Sequence, residues 1–186
     1  MDVWGLVGVV VLIGLSVLYL SQTAARLDRL HHRVDTSRTA LQAQCMDRAN
    51  EVLGLASSGR LDPATSLVLA DAADGALAAG RSTGAAFDLS RCAAESALTK
   101  ALDAALSDPQ VVEELQSQPG GAQTMTELSA VVQKAAWSRR FHNDAVRSCL
   151  AVRKQRVVRL FRLAGSAPLP RTVELDDEVP PALRNR

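Results

Sequence analysis

The chain has 186 residues, of which 47% are hydrophobic but only 3% aromatic, and its formal net charge is +1. A core built from Ala, Leu and Val favours closely packed helices and disfavours β-sandwiches and barrels, whose strands are rich in aromatic and β-branched residues. The length suits one domain with appendages, and the three cysteines, Cys45, Cys92 and Cys149, form neither a disulfide framework nor a CxxC pair.

The first predicted element is a membrane helix. The 18 residues from Val3 to Leu20 carry no charge, and as a helix they span roughly 27 Å, close to the ~30 Å of a bilayer's hydrocarbon core. Trp4 and Tyr19 lie at the two ends, where amphipathic rings favour the headgroup level. A buried core helix rarely runs this long without a charge. We therefore expect a transmembrane anchor over residues 1–20.

A cleavable signal peptide is the alternative interpretation of this segment. Such a peptide usually carries Lys or Arg before its apolar run, whereas here only Asp2 is charged. The small residues at Thr23, Ala24 and Ala25 could accept a peptidase. Under this alternative the chain is an exported or extracytoplasmic helical bundle that acts as a ligand or partner receptor.

The orientation of the anchor follows from the basic residues around it. No Lys or Arg precedes the apolar run, whereas Arg26, Arg29, Arg33 and Arg38 follow it. Basic flanks stay in the cytoplasm, and unpaired cysteines suit a reducing compartment. The sequence predicts a single-pass protein of the cell (inner) membrane, with its N-terminus outside and most of the chain cytoplasmic.

Beyond the anchor, the pattern of apolar and small residues is helical. They recur every three or four positions, which places them on one helix face. No breaker interrupts this pattern before Ser57, so we expect the membrane helix to continue to that point. The face consists of Leu27, Leu30, Val34, Ser37, Leu41, Cys45, Ala49, Val52 and Leu55.

Capping residues and turns predict four further helices. An Asp-Pro pair supplies an N-cap and a first-turn proline, and Thr124 with Glu127 forms a capping box. The predicted helices run from Asp62–Pro63 to Gly80, from Asp88 to Leu106, from Asp108–Pro109 to about Gln116, and, after a turn at 119–121, from Thr124 to about Gly165.

Beyond Gly165, four prolines and four acidic residues predict a disordered tail. The predicted organisation is thus an anchor (1–20), a helical bundle (21–165) and the tail (166–186). Because short connections make successive helices antiparallel neighbours, we expect an all-α, up-down bundle of three to four long helices. The end of its last helix should return to the bilayer surface.

Basic residues are concentrated near the end of the last predicted helix. Between positions 134 and 162 nine basic residues face one acid, Asp144. With the apolar residues among them, they predict contact with anionic lipid headgroups. A solvated basic face that pairs with the acidic tail is the alternative, while nucleic acid is disfavoured because no binding motif and few aromatics occur. The predicted lipid contacts are Arg153, Arg156, Arg159 and Arg162.

The sequence offers no catalytic constellation. It lacks G-x-S-x-G, H-E-x-x-H and the phosphate-binding glycine motifs. His31 and His32 are adjacent and point about 100° apart on a helix, so they are poor joint ligands of one metal ion. His142, Cys45 and Cys149 fall on apolar faces and are expected to be buried. We therefore predict no enzymatic activity, no metal or other cofactor, and no small-molecule substrate.

Three stretches resemble the LemA family. Residues 33–55 are similar to the family's first soluble helix, and residues 101–115 have the layout of the helix and proline-marked turn that follow. Residues 139–146, RRFHNDAV, resemble the family motif R-x-F-Y-N-D-x-V. His142 stands at the position of the family's tyrosine, Arg38 at that of a usual tryptophan, and the phenylalanine-proline pair after the motif is missing.

The resemblance implies an N-terminally anchored, cytoplasmic, antiparallel helical bundle with no established enzymatic activity, cofactor or substrate. Polar residues within such a helix can fix its register against a neighbouring helix. We therefore expect a membrane-anchored interaction or scaffold protein that binds a protein partner or associates with itself. The motif residues expected to serve packing or partner contact are Arg139, Arg140, Phe141, Asn143 and Asp144.

Overall fold

The computed structural model describes residues 3–82 and 87–184, and every regular element within these ranges is helical. The elements are α1 (Val3–Ser57), α2 (Pro63–Ser82), α3 (Leu89–Ala105), α4 (Pro109–Ser117), α5 (Gly121–Arg153), α6 (Arg156–Leu160) and a 3₁₀ helix (Pro181–Leu183). The predicted all-α class is confirmed. The predicted anchor, the break at Gly80 to Gly84 and the tail each include positions outside the described residues, namely 1–2, 83–84 and 185–186.

Helix α1 runs without interruption for 55 residues and is long and apolar enough to cross a membrane. The mean hydropathy of its most apolar 18-residue window is 2.5, and no part of that window is buried. The segment is therefore not a core helix of the described residues. The predicted continuation to Ser57 is confirmed, and Gly59 with φ of +70° provides the left-handed turn that follows.

Aspartate side chains start three helices, and the caps at Asp62 and Asp108 were predicted. The carboxylate of Asp62 accepts the backbone N–H groups of Ala64 and Thr65, both at 3.0 Å. Asp88 accepts the N–H of Arg91 at 2.8 Å, and Asp108 that of Gln110 at 2.9 Å. These N–H groups lack acceptors within their own helix, so the caps satisfy them.

Helix α5 begins at Gly121, three residues before the predicted capping box. Gly120 has φ of +76°, and a Cβ on Gly121 would overlap the carbonyl oxygen of Leu115, so this turn requires glycine at both positions. Thr124 lies within the first turn, where its hydroxyl donates to the carbonyl of Gly120 at 3.1 Å. The predicted role of Thr124 as the N-cap is wrong.

The chain divides into two compact units. The first unit comprises the residues up to Thr36 together with Asn143–Thr172, and the second comprises Ser37–His142 and the residues from Val173 onward. This differs from the predicted single bundle over 21–165, because the boundary crosses α1 and α5 rather than a linker. Separate groups of buried apolar side chains account for the division.

Each unit buries its own apolar side chains. In the first unit α1 packs on α5 and α6; in the second, α1 to α5 share a core, within which α2 packs on α3. The buried set of the first unit is Leu27, Val34, Ala145, Val146, Cys149, Val152 and Val158. The larger core of the second unit includes Val52, Leu55, Leu69, Leu98, Leu102, Leu115, Met125, Leu128 and Leu183.

The end of the chain differs from the predicted disordered tail. Val173 is 4% exposed and Leu183 is fully buried, so apolar residues spaced among the acids pack onto the second unit. The carbonyl of Leu183 accepts hydrogen bonds from Ser129 at 2.7 Å and Gln133 at 3.2 Å. The acidic composition did not indicate this packing, because the arginine that pairs with Asp177 lies far away in sequence, on α5.

The last long helix is shorter than predicted. Helix α5 ends at Arg153, Gln155 is extended, and α6 resumes from Arg156 to Leu160. No Pro or Gly marks this break. The break allows Val158 to enter the core of the first unit. The predicted continuous helix to Gly165 is therefore wrong.

Candidate functional site

Arg139, the first residue of the family-like motif, binds the C-terminal segment. Its Nε and Nη2 donate to the two carboxylate oxygens of Asp177 at 2.7 and 2.8 Å. The side chains are only 19% and 12% exposed, and the hydrogen bond and charge of Asp177 raise the pKa of Arg139. Arg139 is therefore an internal packing residue of the second unit.

Arg140 lines a groove in the second unit between α5 and the C-terminal segment. The groove has a volume of about 550 Å³ and is lined by Gln133, Trp137, Arg140, the residues from Leu175 to Val179, and Arg184. On the opposite wall Arg184 donates to Glu178 at 2.6 Å and to the carbonyl of Val179 at 2.9 Å. Arg140 is exposed, so its charged guanidinium group is accessible to a partner at the rim of the groove.

Two aromatic side chains flank Arg140 on the surface of α5. Trp137 is 54% exposed and Phe141 is 65% exposed, and their four-residue spacing places them on one face. Phe141 was expected as a contact residue, whereas sequence reasoning missed Trp137. The sequence feature that could have identified Trp137 is its four-residue spacing from Phe141, which places both rings on a face of α5 other than the apolar stripe.

The middle of the motif is buried. His142 is 2% exposed, and its Nδ1 lies 3.1 Å from the hydroxyl of Ser37, which confirms its interpretation as a hydrogen-bonded core residue. Asn143 is 4% exposed, as a packing role requires. Asp144, in contrast, is exposed and pairs with Arg147 on its own helix, so the expectation that it fixes register against another helix is wrong.

A buried polar network joins α1 to α3 in the second unit. Nη2 of Arg48 donates to the Glu95 carboxylate at 2.7 Å and to the Glu95 carbonyl at 3.0 Å, and Nη1 donates to Thr99 at 3.0 Å. The Thr99 hydroxyl continues to the carbonyl of Asp176 at 2.8 Å. The sequence did not indicate this network, because a charged residue that becomes buried looks the same in the sequence as one that stays on the surface.

Arg91 is the unusual member of this region. It is 1% exposed, and within the described ranges its three guanidinium nitrogens have no hydrogen-bond partner. The guanidinium carbon lies 4.0 Å from the centre of the Phe87 ring, an arrangement that stabilises a cation weakly. This region thus buries two guanidinium groups, those of Arg48 and Arg91, and one carboxylate, that of Glu95.

Cysteine chemistry is suppressed by burial. Burial and the negative charge of Glu95 raise the pKa of the Cys45 thiol to about 12, and burial also raises the pKa values of Cys92 and Cys149. Cys45 and Cys149 are buried as predicted, and Cys92 is half-buried. Among residues 3–82 and 87–184, no group of three or more His, Cys, Asp or Glu side chains could hold a metal ion.

Arg153 does not fit its predicted role as a lipid contact. Its guanidinium donates to the carbonyls of Ala167 at 2.7 Å and Pro168 at 3.0 Å, and Nη1 lies 3.1 Å from Nε2 of His31. It therefore holds the loop after α6 against the end of α5 within the first unit. The other three predicted lipid contacts, Arg156, Arg159 and Arg162, are exposed.

Helix α6 lies beside the end of the apolar segment of α1. Within the first unit, Val157 and Phe161 line a cavity of about 310 Å³ with Leu15, Ser16, Tyr19 and Leu20. Leu160 is 76% exposed and Phe161 is 54% exposed. This places exposed apolar and basic side chains of one short helix next to the candidate membrane span.

In comparison with known proteins, no family model matches the chain, and no curated protein and no solved structure matches it either. The resemblance of residues 139–146 to the LemA motif therefore stays a prediction.

Proposed function

We propose that this chain is a single-pass membrane protein of the LemA-like type that presents a non-catalytic helical interaction module at the cytoplasmic face of the cell membrane. The observation that carries the proposal is the apolar window of α1, none of which is buried. An uncharged helical segment of this length is stable in lipid, where its backbone hydrogen bonds are satisfied internally.

The cytoplasmic orientation rests on charge. Arg26, Arg29 and Arg33 follow the apolar segment on α1 and are exposed, as expected for residues retained on the cytoplasmic side. The exported bundle is the competing arrangement, and it differs in which side of the membrane holds the two units.

We further propose that α1 and α5 are antiparallel members of an up-down bundle. Two hydrogen bonds within the second unit support this arrangement: Ser37 contacts His142 at 3.1 Å, and Arg60 donates to Thr124 at 3.1 Å. As numbering rises along α1 and the turn that follows it, the partner's number on α5 falls, as in antiparallel neighbours.

The proposed contact surface for a protein partner consists of Trp137, Arg140 and Phe141. Trp and Arg are the residue types most enriched at energetically important interface positions, and an exposed Phe beside them adds apolar area. A second copy of the chain is one candidate partner, and another membrane-associated protein is the other.

Extraction and thiol labelling test the anchoring. The full-length chain should stay in the membrane pellet in alkaline carbonate and keep its first two dozen residues. A cysteine placed at exposed Ala78 of α2, with Cys92→Ser to remove the half-buried thiol, should react with an impermeant maleimide only after the cells are lysed. Labelling of intact cells would contradict the proposed orientation and support the exported alternative. Release by carbonate would contradict the proposed membrane anchor.

Site-specific photo-crosslinking tests the contact surface. A photoreactive phenylalanine at Phe141 should give a discrete adduct in native membranes, while the same group at Leu67, which is 71% exposed on α2, should not. An adduct at twice the mass of the chain identifies self-association, and another mass identifies a different partner. Equal yields from both positions would contradict a specific surface at Phe141.

A further inference from the structure

We propose that α6 and the residues that follow it to Leu163 form a lipid-binding element, which inserts Leu160 and Phe161 between lipids and binds anionic phospholipid headgroups through Arg156, Arg159 and Arg162. The inference rests on the proposed membrane insertion of α1. It adds a second membrane contact to the anchor and specifies the lipid class that this contact prefers.

The packing of α6 beside the end of the apolar segment sets the depth at which α6 lies in the bilayer. Val157 and Phe161 share a cavity with Leu15, Tyr19 and Leu20, the last residues of the apolar segment. When that segment lies in a bilayer, its end is at the boundary between acyl chains and headgroups, where a tyrosine ring such as Tyr19 is favoured. Helix α6, packed beside it in the first unit, lies at the same boundary.

The exposed side chains of α6 suit that boundary better than water. Leu160 is 76% exposed and Phe161 is 54% exposed, whereas Val158, on the other side of the same helix, is 2% exposed in the core of the first unit. Val158 thus fixes α6 to the unit, while Leu160 is largely exposed and Phe161 is partly exposed beside the end of the apolar segment. Adjacent exposed apolar side chains among basic ones are typical of interfacial segments.

The arginines around these two residues are not paired with acids in the part of the chain that the structure describes. Arg159 and Arg162 flank Leu160 and Phe161 in the sequence, and Arg156 begins the helix. Within the described ranges none of the three forms an ion pair. Arg162 has φ of +48°, a left-handed conformation that turns the chain immediately after the exposed ring. Guanidinium groups bind phosphate through paired N–H donors.

The combination favours a lipid phosphate as the ligand. A basic patch alone fits any polyanion, but here the arginines surround apolar side chains that lie against the candidate span. Juxtamembrane basic residues of this kind are attracted to anionic lipids. Arg153, whose donors are used by Ala167, Pro168 and His31, is therefore not one of the proposed headgroup contacts.

Tryptophan quenching in the reconstituted full-length chain tests the inference. The native indoles are removed by Trp4→Phe and Trp137→Phe, and Leu160→Trp places one reporter on α6. The protein is reconstituted into phosphatidylcholine vesicles that contain a minor fraction of either brominated phosphatidylglycerol or brominated phosphatidylcholine. We expect both lipids to quench the reporter, and brominated phosphatidylglycerol to quench it several-fold more at equal mole fraction.

Two matched variants identify the source of this preference. Changing Arg156, Arg159 and Arg162 to Gln should abolish the preference for phosphatidylglycerol while some quenching persists. Changing Arg147 and Arg171 to Gln should leave the preference unchanged, since these are two other exposed arginines of the first unit. Equal quenching by both lipids in the reporter protein that keeps all three arginines, or an equal loss of the preference in the two variants, would overturn the headgroup assignment.

A reference reporter separates failure of this inference from failure of the anchor. Leu12→Trp, in the same Trp-free background, places the indole in the middle of the apolar segment. If this reporter is quenched and that at position 160 is quenched by neither lipid, α1 is inserted and the α6 element is wrong. If neither reporter is quenched, the proposed anchoring itself is wrong.

Discussion

Arg139 on α5 and Asp177 in the C-terminal segment are joined by two hydrogen bonds, of 2.7 and 2.8 Å, across 38 positions of sequence. Beside this pair, Ser96 and Thr99 of α3 bind the backbone of Asp176 at 2.9 and 2.8 Å. The residues from Val173 onward thereby become part of the second unit.

The first prediction concerns the energy of this pair. In a double-mutant cycle with Arg139→Gln and Asp177→Asn, we expect a coupling of about 1 kcal/mol, because the pair is bidentate and largely shielded from water. The free energy of unfolding would be measured by circular dichroism in detergent micelles. The control is the Arg184–Glu178 pair, whose side chains are 50% and 78% exposed. A coupling for Arg139 and Asp177 no larger than that of the control would contradict the prediction.

The second prediction concerns Glu95. Glu95→Gln should cost about 3–5 kcal/mol of unfolding free energy, because it removes the charge partner of Arg48 at a buried site. The loss should be larger than for any single surface substitution, whose effect is usually within about 0.5 kcal/mol. Thermal and urea unfolding in micelles would measure it.

Arg91→Met is the matched comparison for Glu95→Gln. The buried guanidinium of Arg91 has no hydrogen-bond partner among the described residues, so the substitution removes a buried charge that makes no hydrogen bond there and loses its contact with Phe87. We expect stability to be unchanged or increased. If Arg91→Met destabilises as much as Glu95→Gln, the charge of Arg91 is compensated and the contrast is wrong.

The third prediction is alkaline destabilisation through Cys45. Its pKa is raised from 9.0 to about 12 in the folded chain, so between these values the folded state retains a proton that the unfolded state has lost. Stability should therefore fall as the pH rises through this window, by up to about 1.4 kcal/mol per pH unit from this group. In Cys45→Ala the decline should be shallower above pH 9.0 and unchanged below it. Parallel curves for the two proteins would exclude Cys45 as a cause.

The fourth prediction concerns Arg153. Arg153→Gln should release the carbonyls of Ala167 and Pro168 and lower stability by about 2 kcal/mol, as expected for charge-assisted hydrogen bonds. Hydrogen exchange of the amides between residues 163 and 169 should accelerate. Arg156→Gln removes the same charge from an exposed position and should do neither. Equal exchange in the two variants would show that Arg153 does not hold this loop.

Local signals in the sequence were sufficient for most helix boundaries. Asp62, Asp88 and Asp108 start helices because a carboxylate one residue before a helix accepts N–H groups that have no other partner. The break after Arg153 has no such signal, because it depends on Val158 entering a core formed by distant residues. Thr124 was misassigned since glycine packing at the turn starts the helix earlier.

The candidate site was predictable only in part. The family-like motif directed attention to α5, and Phe141 is exposed there as a contact residue would be. The burial of His142 also followed from its place on the apolar stripe. The groove beside Trp137 and Arg140 was not predictable, since its second wall comes from a segment whose composition indicates disorder.

The sequence by itself determined the helical class, the uncharged apolar segment and the positions of the caps, because each depends on residues within a few positions of one another. The tertiary structure alone decided which charges became internal and which stayed outside. Arg139 and Arg153 donate to acceptors on distant segments, whereas Arg140 and Arg159 are exposed. Identical side chains differ in this way because burial and hydrogen bonding are set by what lies opposite them in space.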